Sequence, residues 1–190
     1  MIDLHMHTNF SDGELSPEEL IDLAIGKGLK AIGITDHDTV AGIPKALAYV
    51  QDKEIEVVPG IEISCVDPEK GLVEIHVLGL HLDYNNPLLV DFSNMVVKAR
   101  IEQKKKMISK LQNFGYEITF DEVNELVGES FGRPHIARVL MKKYPEEFPD
   151  SRTVFDKYLG NKKLAYVSRE GYPTIKEAIE LIKKCGGISI

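Results

Sequence analysis

Short apolar runs alternate with stretches of helical periodicity through the first 86 residues. Ile2–Leu4 reads as a strand at the very start. Ser16-Pro17-Glu18-Glu19 has the form of a helix start: a serine cap, proline at the first helical position, an acidic first turn, and glutamate three after the cap. Leu20, Leu23 and Ala24 then recur at helical spacing, and Gly28 closes the segment. Lys30–Thr35 predicts a buried strand, and Val40–Val50 a helix whose regular part begins at Pro44. Ile55–Ile63 predicts a strand interrupted by Pro59-Gly60, and Leu72–Leu82 another. This order implies parallel strands joined by crossover helices, an α/β fold.

After Pro87 the pattern becomes helical. Leu88–Phe114 is one long helical stretch carrying Lys104-Lys105-Lys106, a run expected to form a solvated face. Phe120–Val127, Pro134–Lys143 and Ser151–Leu159 predict shorter helices. Residues 87–164 are therefore expected to be a helical insertion on an α/β core made of 1–86 and 165–190. Thr174–Lys184 predicts a further helix, ended by Gly186-Gly187, and Ile188–Ile190 begins a strand. The chain stops inside that apolar strand, and about five strand candidates are too few to close a parallel barrel. It is expected to be truncated at its C-terminus.

Composition narrows the function classes. Hydrophobic residues make up 43% and charged residues 28%, an ordinary globular balance. The net charge of −7 argues against stable binding of duplex nucleic acid through phosphate contacts. No apolar run approaches the roughly 18 residues of a membrane span, and MIDLHMHTNFSDG lacks the basic region and apolar core of a signal peptide. A cytoplasmic location without membrane partners is the expectation. Cys65 and Cys185, 120 positions apart, make neither a disulfide framework nor a CxxC site and read as small buried residues.

The six histidines are more telling, because five lie within the first 81 residues and several adjoin acids. His5 and His7, two apart in an extended segment, point to one side. Asp12 follows in a loop able to fold back over that strand end. His37 lies in Thr35-Asp36-His37-Asp38 directly after the second strand. Glu62 is placed at the end of the third strand, and His76 lies in Glu74-Ile75-His76-Val77. In parallel α/β folds the strand C-termini gather on one face. Histidines and acids collected there are an odd use of buried positions unless they are paired or metal-bound. Imidazole and carboxylate together suit zinc, manganese or iron. His81 matches no such pattern and reads as a strand or loop residue.

HMHTNFSDG, ITDHDTVAG, VPGIEIS and EIHVLG, followed by FGRPHIA at 131–137 and CGGISI at 185–190, resemble in order the motifs of the PHP (polymerase and histidinol phosphatase) superfamily. The helical insertion carrying GRPHIA resembles the branch of small phosphoesterases that includes nucleoside 3′,5′-bisphosphate phosphatases and RNA 5′-end exonucleases. The resemblance implies a distorted (β/α)7 barrel with two or three divalent metal ions (Mn, Fe or Zn). By motif, His5 and His7 would bind the first ion, Glu62 would bridge it to a second held by His76, and Asp12 and His37 would hold a third. Glu62, His37 and Asp12 would thus carry the catalysis. Arg133 and His135 would hold substrate phosphate, for which an arginine fork is suited. The family's two later ligand motifs, an Ala-His-Pro and an Asp-x-His, do not occur within these residues, so each ion is expected to lack one protein ligand. The implied reaction is hydrolysis of phosphate esters of nucleotides or RNA ends by metal-bound hydroxide. The alternatives are a histidinol-phosphate phosphatase, a polymerase-type 3′–5′ exonuclease module, or, from another class, an inactive metal-binding regulatory domain.

Overall fold

The computed structural model describes residues 1–67, 71–126, 131–168 and 171–190. In chain order the elements are β1 (Ile2–Met6), α1 (Pro17–Gly26), β2 (Ala31–Ile34), α2 (Ile43–Tyr49), β3 (Glu56–Asp67), β4 (Leu72–Leu80), α3 (Pro87–Asn113), α4 (Phe120–Asn124), α5 (Arg133–Lys143), α6 (Ser151–Val154), α7 (Ile175–Lys184) and β5 (Ile188–Ser189). A π-helical turn, Phe155–Leu159, continues α6. Val127, the expected end of the fourth helix, lies outside the described residues. The chain divides into two compact units, Met1–Val97 with Gly171–Ile190, and Lys98–Glu170.

The first unit holds a five-stranded sheet in the order β1-β2-β3-β4-β5. β1, β2 and β3 are parallel, whereas β4 runs antiparallel to both β3 and β5. The all-parallel expectation is therefore corrected. Only residues 68–71 join β3 to β4, and a parallel crossover needs a dozen or more. The expectation failed because it ended the third strand at Ile63, while β3 runs on to Asp67 without a break at Pro59-Gly60. Pro59 sits opposite Ile34 and Gly60 opposite Leu80. A side chain on Gly60 would come within 2.6 Å of Thr35 Cγ2, so glycine permits this close approach.

Local signals behave as their chemistry dictates. Ser16 Oγ accepts the Glu19 N–H, while the Glu19 carboxylate accepts the Ser16 N–H at 2.8 Å. Thr174 and Glu177 repeat this capping box at α7. Pro44 stands in the first turn of α2. Ile21, Ile32, Ile34, Ile43, Ile61 and Ile63 are wholly enclosed in the core of the first unit. α3 supplies Leu89, Phe92 and Val96 to that core, and Met107, Ile108 and Leu111 to the separate core of the second unit. The basic run needs one correction: Lys105 and Lys106 are exposed, but Lys104 is buried and donates to Gln103 Oε1 at 2.7 Å. His81 is exposed and adopts φ +56°, just past the end of β4. Among the described residues no helix is long and apolar enough to cross a membrane.

One irregularity bears on function. Asp3 pairs with Ile32 and Met6 with Ile34, so β1 fits Leu4 and His5 opposite Gly33 alone. The extra residue needs space, and glycine provides it: a Cβ on Gly33 would stand 2.4 Å from the Leu4 carbonyl oxygen. Gly33→Val should push β1 away and lower unfolding stability by about 1–3 kcal/mol, read as the shift in urea midpoint at constant slope. The cysteines yield a second prediction. Burial pushes the Cys65 thiol up to about 12 and raises that of Cys185, and both are enclosed. Thiolate forms only above the pKa, so at pH 8 neither should react with iodoacetamide in native protein. Mass spectrometry should find both alkylated only after urea is added.

Candidate metal centre

Strands β1, β3 and β4, the segment after β2 and the loop after β1 deliver the candidate ligands. His5 lies within β1 and His7 follows its last residue. Beyond β2 the segment Thr35–Asp38 continues alongside β3, forming a parallel bridge between His37 and Glu62. Glu62 N–H donates to the Asp36 carbonyl at 3.2 Å, and Asp38 N–H donates to the Glu62 carbonyl at 3.0 Å. Backbone pairing thus sets His37 beside Glu62. Ser64 pairs with His76, two positions along from Glu62, so His76 shares the face of Glu62. Neither Glu62 nor His76 is at a strand end, as sequence reasoning supposed. Both are interior to an antiparallel pair, and His76 reaches the cluster from a strand running the opposite way. Asp12 arrives from a loop that does fold back over β1, with Gly13 N–H donating to the Thr8 carbonyl at 2.9 Å. A Cβ on Gly13 would lie 2.4 Å from the His7 carbonyl oxygen, so this tight return requires glycine.

The six side chains converge, with Glu62 at their centre. Its Oε2 lies 2.9 Å from His5 Nε2 and 2.9 Å from His7 Nε2, and its Oε1 lies 2.8 Å from His76 Nδ1. His37 Nε2 stands 3.7 Å from Glu62 Oε2 and 3.6 Å from Asp12 Oδ2. His7 Nδ1 pairs with Asp12 Oδ1 at 3.0 Å. Glu62 is buried, His7 and His37 are half-buried, and His5, Asp12 and His76 are open to solvent. The cluster therefore has an enclosed floor and an accessible side.

Electrostatics follow this layout. The hydrogen bond to Asp12 raises the pKa of His7, and the same bond draws that of Asp12 down to about 2. Burial raises Glu62, but the hydrogen bond from His5 and the nearby His37 and His76 outweigh it, so the net shift is downward. Burial lowers His37, favouring its neutral form, in which an imidazole nitrogen can act as a ligand.

The donor set fits divalent cations. Among the described residues, three groups have ligand atoms within 4.8 Å of one another: His5, His7 and Glu62; His7, Asp12 and His37; His37, Glu62 and His76. They interlock through His7, His37 and Glu62. Ligands bound at roughly 2.1 Å in adjacent positions lie about 3 Å apart, the spacing seen between Glu62 and its imidazoles. Several imidazoles drawn around one carboxylate is chemistry that transition-metal cations satisfy better than protons do.

Arg133 and His135 belong to the second unit, where their surroundings are local. Arg133 donates to the Leu159 carbonyl at 3.1 Å and Asn161 Oδ1 at 3.0 Å, and its guanidinium lies over the Phe155 ring. His135 Nδ1 accepts the Gly132 N–H at 3.1 Å, and burial lowers the pKa of the ring. Sequence reasoning passed over Asp36 and Asp38, which flank His37 and are 1% exposed. The available signal was alternation: in an extended segment both neighbours of a site-facing His37 must turn away from the site and into the protein.

Comparison with known proteins finds relatives along nearly the whole chain. A 5′-3′ exoribonuclease of Haemophilus influenzae is 34% identical over 188 residues, covering 99% of this chain and 66% of the relative. A 3′,5′-nucleoside bisphosphate phosphatase of Chromobacterium violaceum is 32% identical over 191 residues, covering 100% of this chain and 65% of the relative. The chain thus spans about two-thirds of the length of these relatives. A solved structure from Bifidobacterium adolescentis, assigned to the metal-dependent phosphoesterases, superposes with a TM-score of 0.84 at 30% identity, covering 99% of this chain and 65% of its own. The PHP domain model matches residues 3–187. With nearly the whole chain matched and its histidines and acids drawn around Glu62, the protein belongs to the PHP domain family.

Proposed function

We propose that this chain carries the metal centre of a phosphoesterase that hydrolyses phosphate esters of nucleotides or RNA ends. The observation that carries the reading is the buried Glu62 carboxylate with His5, His7 and His76 within 2.9 Å. The relatives named as an exoribonuclease and a bisphosphate phosphatase support the substrate class. His5, His7 and Glu62 would hold one divalent cation, Glu62 and His76 a second, and Asp12 and His37 a third; manganese, iron and zinc all suit these donors. Such cations lower the pKa of water toward neutrality and offset the charge on phosphate oxygens.

The residues of the chain have separate tasks. Glu62 offers one oxygen to each of two neighbouring groups, setting their separation. His37, kept neutral by burial, and Asp12, kept ionised by His7, would be in the protonation states that a cation ligand requires. Residues 87–164 would supply specificity, with Arg133 and His135 binding a second phosphate. A site for one phosphate needs such contacts to tell a bisphosphate or an RNA end from other esters.

Phosphate release from a nucleoside 3′,5′-bisphosphate, a 5′-phosphorylated RNA oligomer, histidinol phosphate and a DNA oligomer tests the reading. Release from the first two, and little from the others, is expected with Mn²⁺ present. No release from any of them, in the chain or in a protein that extends it, would leave a metal-binding module. Glu62→Gln should lower turnover more than a hundredfold, a loss of roughly 3 kcal/mol in transition-state stabilisation, with reduced metal content after dialysis. Arg133→Ala should chiefly raise KM for a substrate with two phosphates, with metal content unchanged in elemental analysis. Loss of metal in that variant would assign Arg133 a structural role.

A further inference from the structure

We infer that Asp36 and Asp38 are positioning residues for the candidate metal centre: Asp36 clamps Thr8 in the loop after β1, Asp38 clamps Ser64 on β3, and together they hold His37 between Asp12 and Glu62. The inference rests on the six-residue metal reading above and concerns side chains outside that set.

Both side chains are 1% exposed, and a polar group so placed is retained only where hydrogen bonds replace its water. Asp36 is served from one direction. Its Oδ1 accepts the Thr8 N–H at 2.7 Å and the Ser11 hydroxyl at 2.6 Å, and its Oδ2 accepts the Thr8 hydroxyl at 2.6 Å. All three donors belong to the loop that leaves β1 and carries Asp12. Thr8 also accepts, through its carbonyl, the N–H groups of Ser11 and Gly13. The loop is therefore closed on Thr8, and Thr8 is fastened to Asp36. Gly42 packs against the same grip, since a Cβ there would lie 3.2 Å from Asp36 Oδ2.

Asp38 makes the matching clamp on the other side. Its Oδ1 accepts the Ser64 N–H at 2.7 Å and its Oδ2 accepts the Ser64 hydroxyl at 2.9 Å. Ser64 lies on β3 two residues beyond Glu62 and pairs with His76. Asp38 itself has φ +59°, a left-handed conformation uncommon outside glycine. The two bonds to Ser64 favour that turn, which bends the chain sharply after His37.

The two clamps explain a placement that backbone pairing alone does not secure. His37 and Glu62 share one isolated bridge past the end of β2, and a single bridge is a weak hold. Asp36 ties this segment to the Asp12 loop, and Asp38 ties it to the strand of Glu62. The bonds of the two carboxylates to Thr8, Ser11 and Ser64 act on the cluster through His37, Asp12 and Glu62. Partners that orient ligands in this way typically alter metal affinity 10–100-fold when removed.

The experiment measures Mn²⁺ affinity by calorimetric titration at low temperature, with circular dichroism as the control for folding. Thr8→Val, Ser11→Ala, Ser64→Ala and Asp36→Asn are compared with the wild type and with Thr8→Ser, which keeps both bonds to Asp36. The expected result is Mn²⁺ binding 10–100-fold weaker in Thr8→Val, Ser64→Ala and Asp36→Asn, with wild-type circular dichroism, and full retention in Thr8→Ser. Should Asp36→Asn fail to fold, the single-hydroxyl variants still decide. Wild-type affinity in Thr8→Val and Ser64→Ala, with only a lower melting temperature, would overturn the inference and leave the metal reading intact. Loss confined to Asp36→Asn would also overturn it, because the carboxylate would then act directly on the metal. A wild-type chain that takes up no Mn²⁺ would overturn the metal reading and the inference with it.

Discussion

A carboxylate is expensive to enclose, and Glu62 is enclosed in the floor of the first unit with 6% of its surface exposed. The cost is offset by imidazoles that reach it from β1 and its following loop, from the segment after β2, and from β4. This single requirement organises the sheet. β3 must run past Glu62 so that Ser64 can receive Asp38 and pair with His76, and β4 must return antiparallel to bring His76 back. A strand ending at Ile63 would leave His76 without a path to the cluster.

The space around Glu62 is made by small residues. Gly13 lets the Asp12 loop lie directly on the His7 carbonyl, Gly33 admits the extra residue of β1 that includes His5, and Gly60 allows β3 to press against Thr35. Each leaves room for a close approach near a candidate ligand. The core behind them is built largely of isoleucine and valine, whose stiff side chains resist adjustment. The candidate ligands are thus set on a well-packed platform, a precondition for holding cations at defined separation.

The second unit has its own core and polar contacts. Tyr116 donates its hydroxyl proton to Glu147 at 2.6 Å, with the Tyr158 hydroxyl 3.0 Å away, and Lys157 pairs with Glu147 at 2.6 Å. Burial pushes the Tyr116 phenol up, so it stays protonated and serves as a donor. Tyr144, Phe148 and Tyr158 pack edge-on or tilted around its ring. Thr119 with Glu122, and Asp150 with Thr153, cap the helices beginning there. Arg133 and His135 therefore sit in a unit that has a core of its own.

The helices and their caps were legible in the amino-acid sequence because capping and amphipathic spacing are local: Ser16 and Glu19 find each other three residues apart whatever the rest of the chain does. The candidate ligands were legible too, since histidines and acids beside apolar runs carry their chemistry on the side chain. The direction of β4 was not, because it follows from the length of β3, which was expected to end at Ile63 and runs on to Asp67. The burial of Lys104 within a basic run was hidden for a related reason, as the inward face of a helix depends on what packs against it. The roles of Asp36 and Asp38 were hidden as well. An aspartate in a sequence is equally a surface charge or a buried clamp, and only contact with Thr8, Ser11 and Ser64, between 25 and 28 residues away, separates the two. Residue chemistry and local periodicity lie within a few positions of the chain, whereas burial, strand direction and hydrogen-bond partners arise from residues that meet only after folding.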